Sequence, residues 1–144
     1  MTRRKAREMV LRAIYAQDMR GGDLEEVFSD PLINYSGTRD SFGVKLLTEI
    51  MENKEVIDDH IRPRADKWDL HRIALIDMLV MRMSVAEMLF LANDVPATVS
   101  INEAIEIAKS FSTEKSGRFI NGILDAVRQD IDKEKSKNYI SNNN

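Results

Sequence analysis

Cysteine is absent from all 144 residues. That omission excludes disulfides, thiolate nucleophiles and cysteine-ligated zinc together. Histidine occurs only twice, and His60 and His71 are not at metal-ligand spacing. The run Asp58-Asp59-His60 falls near a predicted helix end, where exposed polar residues are ordinary. No G-x-S-x-G, P-loop or G-x-G-x-x-G occurs anywhere, so neither a nucleophile elbow nor a phosphate cradle is encoded. The chain is therefore expected not to be an enzyme, with no catalytic residues, no metal and no cofactor. A long apolar run is missing too. The most apolar stretch, Ile73 to Leu91, is broken by Asp77, Arg82 and Glu87. A membrane span tolerates such charges poorly, and a central bundle helix accommodates them better.

Positive charge is not in excess either. The net charge is −3 and the isoelectric point is near 5.5, which argues against coating nucleic acid through bulk charge. The distribution is uneven, however. Within the first twelve residues Arg3, Arg4, Lys5, Arg7 and Arg12 face only Glu8. A basic end on an acidic body permits a local anion site. With 43% hydrophobic and 31% charged residues, the composition is that of a globular protein rather than a disordered one. The length suits one domain with a real core. No apolar leader follows the basic start, so the expected location is the cytoplasm.

Helical periodicity runs through the chain, and no segment alternates at period two. Arg3 to Met19 forms a first helix with Ala6, Met9, Val10, Ala13 and Ala16 as its apolar stripe, stopped by Gly21-Gly22. Leu24 to Phe28 is a short second helix closed before Pro31, and Pro31 to Gly37 reads as loop. A long third helix starts near Asp40 or Ser41, turns Phe42, Leu46, Leu47, Ile50, Ile57 and Ile61 inward, and ends before Pro63. Trp68 plugs the joint between two halves. A helical stretch from Leu70 to about Ala92, with a possible break near Leu75, ends at Asn93-Asp94-Val95-Pro96. The expected fold is all-α, a compact bundle of six or seven helices. It is a single domain over 1–131 in two contiguous halves, about 1–64 and 65–131. The polar segment 132–144 is expected to fray.

The most specific segment is Val99-Ser-Ile-Asn-Glu-Ala-Ile-Glu-Ile-Ala-Lys-Ser-Phe111, followed by Ser116-Gly-Arg-Phe-Ile-Asn-Gly-Ile-Leu124. Ser100 and Glu103 have the S-x-x-E spacing of a capping box. Ile101, Ala104, Ile105, Ala108 and Phe111 then recur on one helical face. Phe119, Ile120, Ile123, Leu124, Val127 and Ile131 repeat the pattern. Periodicity alone indicates two helices on a core. The residues themselves, INEAIEIAKSF and then SGRFINGILD, resemble the C-terminal signature of the NusB family of bacterial transcription antitermination factors. RRKARE…AIY near the start resembles that family's arginine-rich opening.

Three surfaces carry candidate functions. On the first helix Arg4, Arg7, Leu11 and Tyr15 lie along one strip away from the alanine-rich stripe. Arginine offers a planar fork to phosphate, and a tyrosine ring can stack on an unpaired base. From pattern alone, packing of Leu11 and Tyr15 under another helix is the commoner outcome. The resemblance implies RNA binding through this helix, with Arg3, Arg4, Arg7 and Tyr15. At the joint between the last two helices, Lys115 and Arg118 flank a helix N-terminus, a plausible phosphate site. Phe119 beside them is more often core than a stacking platform, yet the resemblance implies that this corner helps to hold RNA. Finally, Asp77, Ser84 and Glu87 share one side of an apolar helix. Unaided, that row reads as a thin solvent stripe. The resemblance implies that it docks a basic partner, the ribosomal protein NusE.

The resemblance implies an antitermination factor that binds single-stranded boxA-type RNA of ribosomal RNA leader transcripts together with NusE. The pair then acts on elongating RNA polymerase with other Nus factors, and no membrane is involved. Two other readings stay open: a protein–protein adaptor without RNA binding, favoured by the acidic isoelectric point, and an accessory RNA-binding bundle of an rRNA-modifying system. The second is disfavoured because the chain ends before a methyltransferase domain could fit.

Overall fold

The first three helices begin where a short polar side chain satisfies an open N–H group of the first turn. In the computed structural model, which describes residues 2–29, 41–65 and 73–143 (side chains as far as 138), Thr2 caps α1 (Arg3–Arg20) by accepting from the Lys5 N–H at 3.2 Å. Asp23 caps α2 (Leu24–Phe28) through the Glu26 N–H at 2.9 Å. Ser41 caps α3 (Phe42–Glu52) through the Val44 N–H. α1 ends at Gly21 and Gly22, with φ of 77° and 112°, a backbone that side-chain-bearing residues rarely adopt.

The expected long third helix is two. α3 stops at Asn53, whose side-chain amide donates to the Glu49 carbonyl at 2.9 Å, and α4 (Lys54–Ile61) restarts directly. A 3-10 turn, Arg62–Arg64, carries the chain through Pro63. Then come α5 (Leu75–Phe90), α6 (Ala97–Phe111) and α7 (Glu114–Asn143). Among the described residues there are seven α-helices and no strand, so the fold is all-α as expected. The Pro31–Gly37 loop, Trp68 and His71 lie outside the described residues.

Two boundary expectations are corrected. α6 starts three residues before the supposed capping box, at Ala97 after Pro96, so Ser100 lies within the helix and buried. The segment after Ile131 continues α7 to Asn143, for a helix of 30 residues, about 45 Å long.

α5 is the axis of the bundle. It packs against α1, α3, α4, α6 and α7, which joins both halves of the chain in a single core. Its Leu79, Val80, Met81, Met83, Val85, Ala86 and Met88 are all buried. They meet Val10, Leu11 and Ile14 of α1, Leu46, Leu47 and Ile50 of α3, and Ile120, Leu124 and Val127 of α7 in one hydrophobic cluster. Being wrapped on every side, α5 has no wide polar face, unlike a surface helix. Gly117 lets α6 and α7 approach closely, since a Cβ there would lie 3.2 Å from Lys109 Cε and 3.4 Å from Ile105 Cγ2.

Candidate nucleic-acid interface

α1 lies beside α6, and their contacts advance along both helices in the same direction. Arg3 donates to the Asp94 carbonyl at 2.9 Å, just before α6 begins. Arg4 pairs with Glu103 in its middle, and the Arg12 guanidinium covers the Phe111 ring at its end, 5.8 Å from the centroid. The hydrogen bond from Arg4 to Glu103 holds the guanidinium's pKa above its ordinary value. The basic opening of the chain is thus largely matched by acceptors from its own fold.

Arg7 is the extreme case. It is 2% exposed, and its Nε and Nη2 donate to the two Glu87 carboxylate oxygens at 2.9 and 2.7 Å. Glu87 is 1% exposed. Burial raises its pKa, opposed by the hydrogen bond and charge of Arg7 and by the Ser100 hydroxyl. Arg3 and Arg7 both place their guanidinium groups 4.9 Å from the Phe42 ring centroid. A fork-to-fork pair in this setting is strong in geometry but offset by the desolvation of both ions. Its chief structural consequence is that neither member can be removed alone.

The expected site residues therefore divide. Arg7 and Leu11 are corrected from an RNA-facing strip to the interior, because the middle of the strip meets the core as soon as the helix closes on it. Asp77, Ser84 and Glu87 are corrected from a docking stripe to a buried polar seam. Ser84 and Ser100 share a hydrogen bond of 2.9 Å between hydroxyls. Asp77 is 7% exposed, and its Oδ2 accepts from Ser116 Oγ at 2.9 Å. The seam ties α5 to α1, α6 and α7, since each of these polar groups on an apolar helix bonds a side chain of a neighbouring helix.

The remaining expected residues stay at the surface. Tyr15 is 41% exposed. Arg3 and Arg4 are exposed although engaged, and Lys115 and Arg118 are exposed at the start of α7. Phe119 is half-buried and packs against the core. Sequence reasoning passed over Arg12 and Phe111, both exposed. Arg12 lies one helical turn before Tyr15 on the same face, which is the signal that could have found it. The contact between Arg12 and Phe111 joins the middle of α1 to the α6–α7 joint, where Lys115 and Arg118 stand. Among the described residues no group of three or more His, Cys, Asp or Glu side chains could hold a metal ion, and no helix is long and apolar enough to cross a membrane.

Known proteins resemble this chain in sequence and in fold. The chain is 42% identical over 135 residues to the transcription antitermination protein NusB of Chloroherpeton thalassium, covering 91% of this chain and 63% of that one. It is 42% identical over 134 residues to the NusB of Salinibacter ruber, of which it covers 82%, and 40% identical over 131 residues to that of Bacillus thuringiensis, of which it covers all. The chain thus spans just under two thirds of the first of these relatives and the whole of the last.

Among solved structures, T. maritima NusB superposes with a TM-score of 0.79 at 36% identity, over 90% of this chain and 92% of that one. A chain in the crystal structure of a plectonemic RNA supercoil gives 0.76 at 26% identity, over 90% and 95%. The antitermination factors NusB and NusE in complex with dsRNA provide a further match of fold, with a TM-score of 0.74 at 24% identity over 90% and 98%. The NusB family model itself matches residues 4–129. The span takes in α1 from Arg4 onward, the buried seam and the α6–α7 joint, and the chain belongs to the NusB family.

Proposed function

We infer that this chain is a transcription antitermination factor that binds single-stranded boxA-type RNA of ribosomal RNA leader transcripts together with ribosomal protein NusE, in the cytoplasm, and acts on elongating RNA polymerase. The observation that carries this reading is the family match over nearly the whole fold, with relatives about 40% identical that bear the antitermination name. The surface chemistry is compatible. An exposed tyrosine and exposed cations at the α6–α7 joint supply a stacking face and phosphate donors, the two elements by which single-stranded RNA is held. Tyr15, Lys115, Arg118 and Phe119, with Arg3 and Arg4 at the edge, are the proposed contacts. Arg7 acts through α1 by anchoring it. The docking surface for NusE lies outside the Asp77–Ser84–Glu87 row, whose side chains are enclosed.

A specific observation favours a second reading, a protein–protein adaptor that does not bind RNA. Arg3, Arg4 and Arg7 already have acceptors within the fold, and the net charge is −3. Titration of a labelled boxA-type RNA with the chain, alone and with NusE, separates the two. Antitermination requires RNA binding that NusE strengthens. Binding of NusE with no RNA affinity in either arm establishes the adaptor instead.

A further inference from the structure

Arg3, Arg4 and Arg7 each donate to an acceptor, whereas Arg12 makes no hydrogen bond or ion pair with the described residues. Among the described residues its one specific contact is the Phe111 ring. Both groups are at the surface, and Phe111 is 37% exposed at the last position of α6. Leaving a phenylalanine and an unpaired guanidinium in water adds little to the fold. Together they have a different use. The ring holds the planar guanidinium by cation–π attraction and limits its rotamers, while the exposed side chain keeps its donors accessible to a ligand. Tyr15 exposes its ring one turn further along the same face of α1. Lys115 and Arg118 begin α7 just across the joint from Phe111.

We propose that Arg12, held by Phe111, is a phosphate-contacting residue that bridges the Tyr15 stacking face and the cations of the α6–α7 joint into one track for single-stranded RNA. This inference rests on the RNA-binding reading above and adds to it a residue and the device that positions it. The ligand class follows from the chemistry. A preoriented guanidinium fork matches phosphate oxygens, an adjacent exposed ring accepts a base of any identity, and a row of separated cations follows a flexible polyanion better than it fits a single small anion. Phe111 is the positioning residue and touches RNA only through Arg12.

The test is a titration of a labelled single-stranded boxA-type oligoribonucleotide in the presence of NusE at several salt concentrations, with thermal melting of each variant alongside. Arg12→Ala should weaken binding about tenfold and reduce the slope of log affinity against log salt by about 0.7, the value of one contact on a single strand. Phe111→Leu should keep the wild-type slope, because the charge remains, while losing about threefold in affinity as the fork is released. Melting temperatures should not move, and a purely structural role would move them while sparing the slope. If Arg12→Ala binds RNA with wild-type affinity and slope, the proposal is overturned while the RNA-binding reading stands. Weakened NusE capture with unchanged RNA binding also overturns it and makes the platform a protein contact. If the wild-type chain binds no RNA with or without NusE, both readings fall together.

Discussion

Arg7 and Arg12 are the same residue type on the same helix, and they have opposite fates. Arg7 is 2% exposed and closed in a two-bond pair with Glu87, whereas Arg12 is exposed and rests on a phenylalanine. Five positions place them about 140° apart around α1, and that angle is the whole difference. One side of the helix meets the central α5, and the other meets the end of α6 and solvent. The contrast teaches that a basic helix in this fold is not a uniform nucleic-acid surface. Its inner arginine fixes where the helix sits, and its outer one is available to a ligand.

The comparison breaks most visibly if the inner pair is cut. Glu87→Gln should leave the Arg7 charge buried without a counterion and cost about 3–5 kcal/mol, read as a lower urea midpoint with an unchanged slope. Arg7→Met combined with Glu87→Leu removes both charges at similar volume, and the double variant should recover most of that loss. A double variant as unstable as Glu87→Gln would show that the seam depends on specific polar contacts rather than on charge balance. Elsewhere in the seam, Ser116→Ala takes away the donor to Asp77. Since Asp77 Oδ1 already lacks a partner, the carboxylate would lose its hydroxyl contact, at about 1–3 kcal/mol by the same measurement.

On the outer side the sign of the effect changes from stability to affinity. Tyr15→Ala should weaken RNA binding by roughly 1–3 kcal/mol with little change in melting temperature, and Tyr15→Phe should bind nearly as the wild type does. A large drop in melting temperature for Tyr15→Ala would assign the ring to the core instead.

The smallest effect is on pH dependence, through a carboxylate near the surface. The hydrogen bond from Arg64, whose Nε lies 2.7 Å from Asp130 Oδ2, holds Asp130 below its ordinary pKa. The folded state therefore binds that proton more weakly than the unfolded chain does. The pair's contribution is present above the unfolded carboxyl value and is lost as pH falls through the lowered one. In stability measured across the acid range, Asp130→Asn should flatten the rise with pH. The Asp130 pair is partly exposed, so its part amounts to a few tenths of a kcal/mol up to about 1.

Much of the fold was legible from spacing. The ends of α1, the short α2, the inward residues of α3 and α4 and the two signature helices follow from caps, glycines and the 3.6-residue period. The break at Asn53 was not legible, because nothing in Leu46, Leu47, Ile50, Ile57 and Ile61 interrupts the apolar register. The capping box at Ser100 and Glu103 was misleading. Both residues have partners on other helices, Ser84 of α5 and Arg4 of α1, which outweigh a local cap. Of the candidate site, Tyr15, Lys115 and Arg118 were correctly placed at the surface, while Arg7, Asp77, Ser84 and Glu87 were not.

The amino-acid sequence by itself determined an all-α chain, the positions of most helices, and membership of its family through the motifs around Asn102 and Asn121. Only the tertiary structure decided which polar residues are interior. Periodicity tells which residues share a helical face but not what that face will meet. Arg7 and Glu87 are eighty positions apart, and each looks like a surface charge in its local setting. They become a core feature only when α1 closes on α5, since burial belongs to the assembled helices and not to any single one.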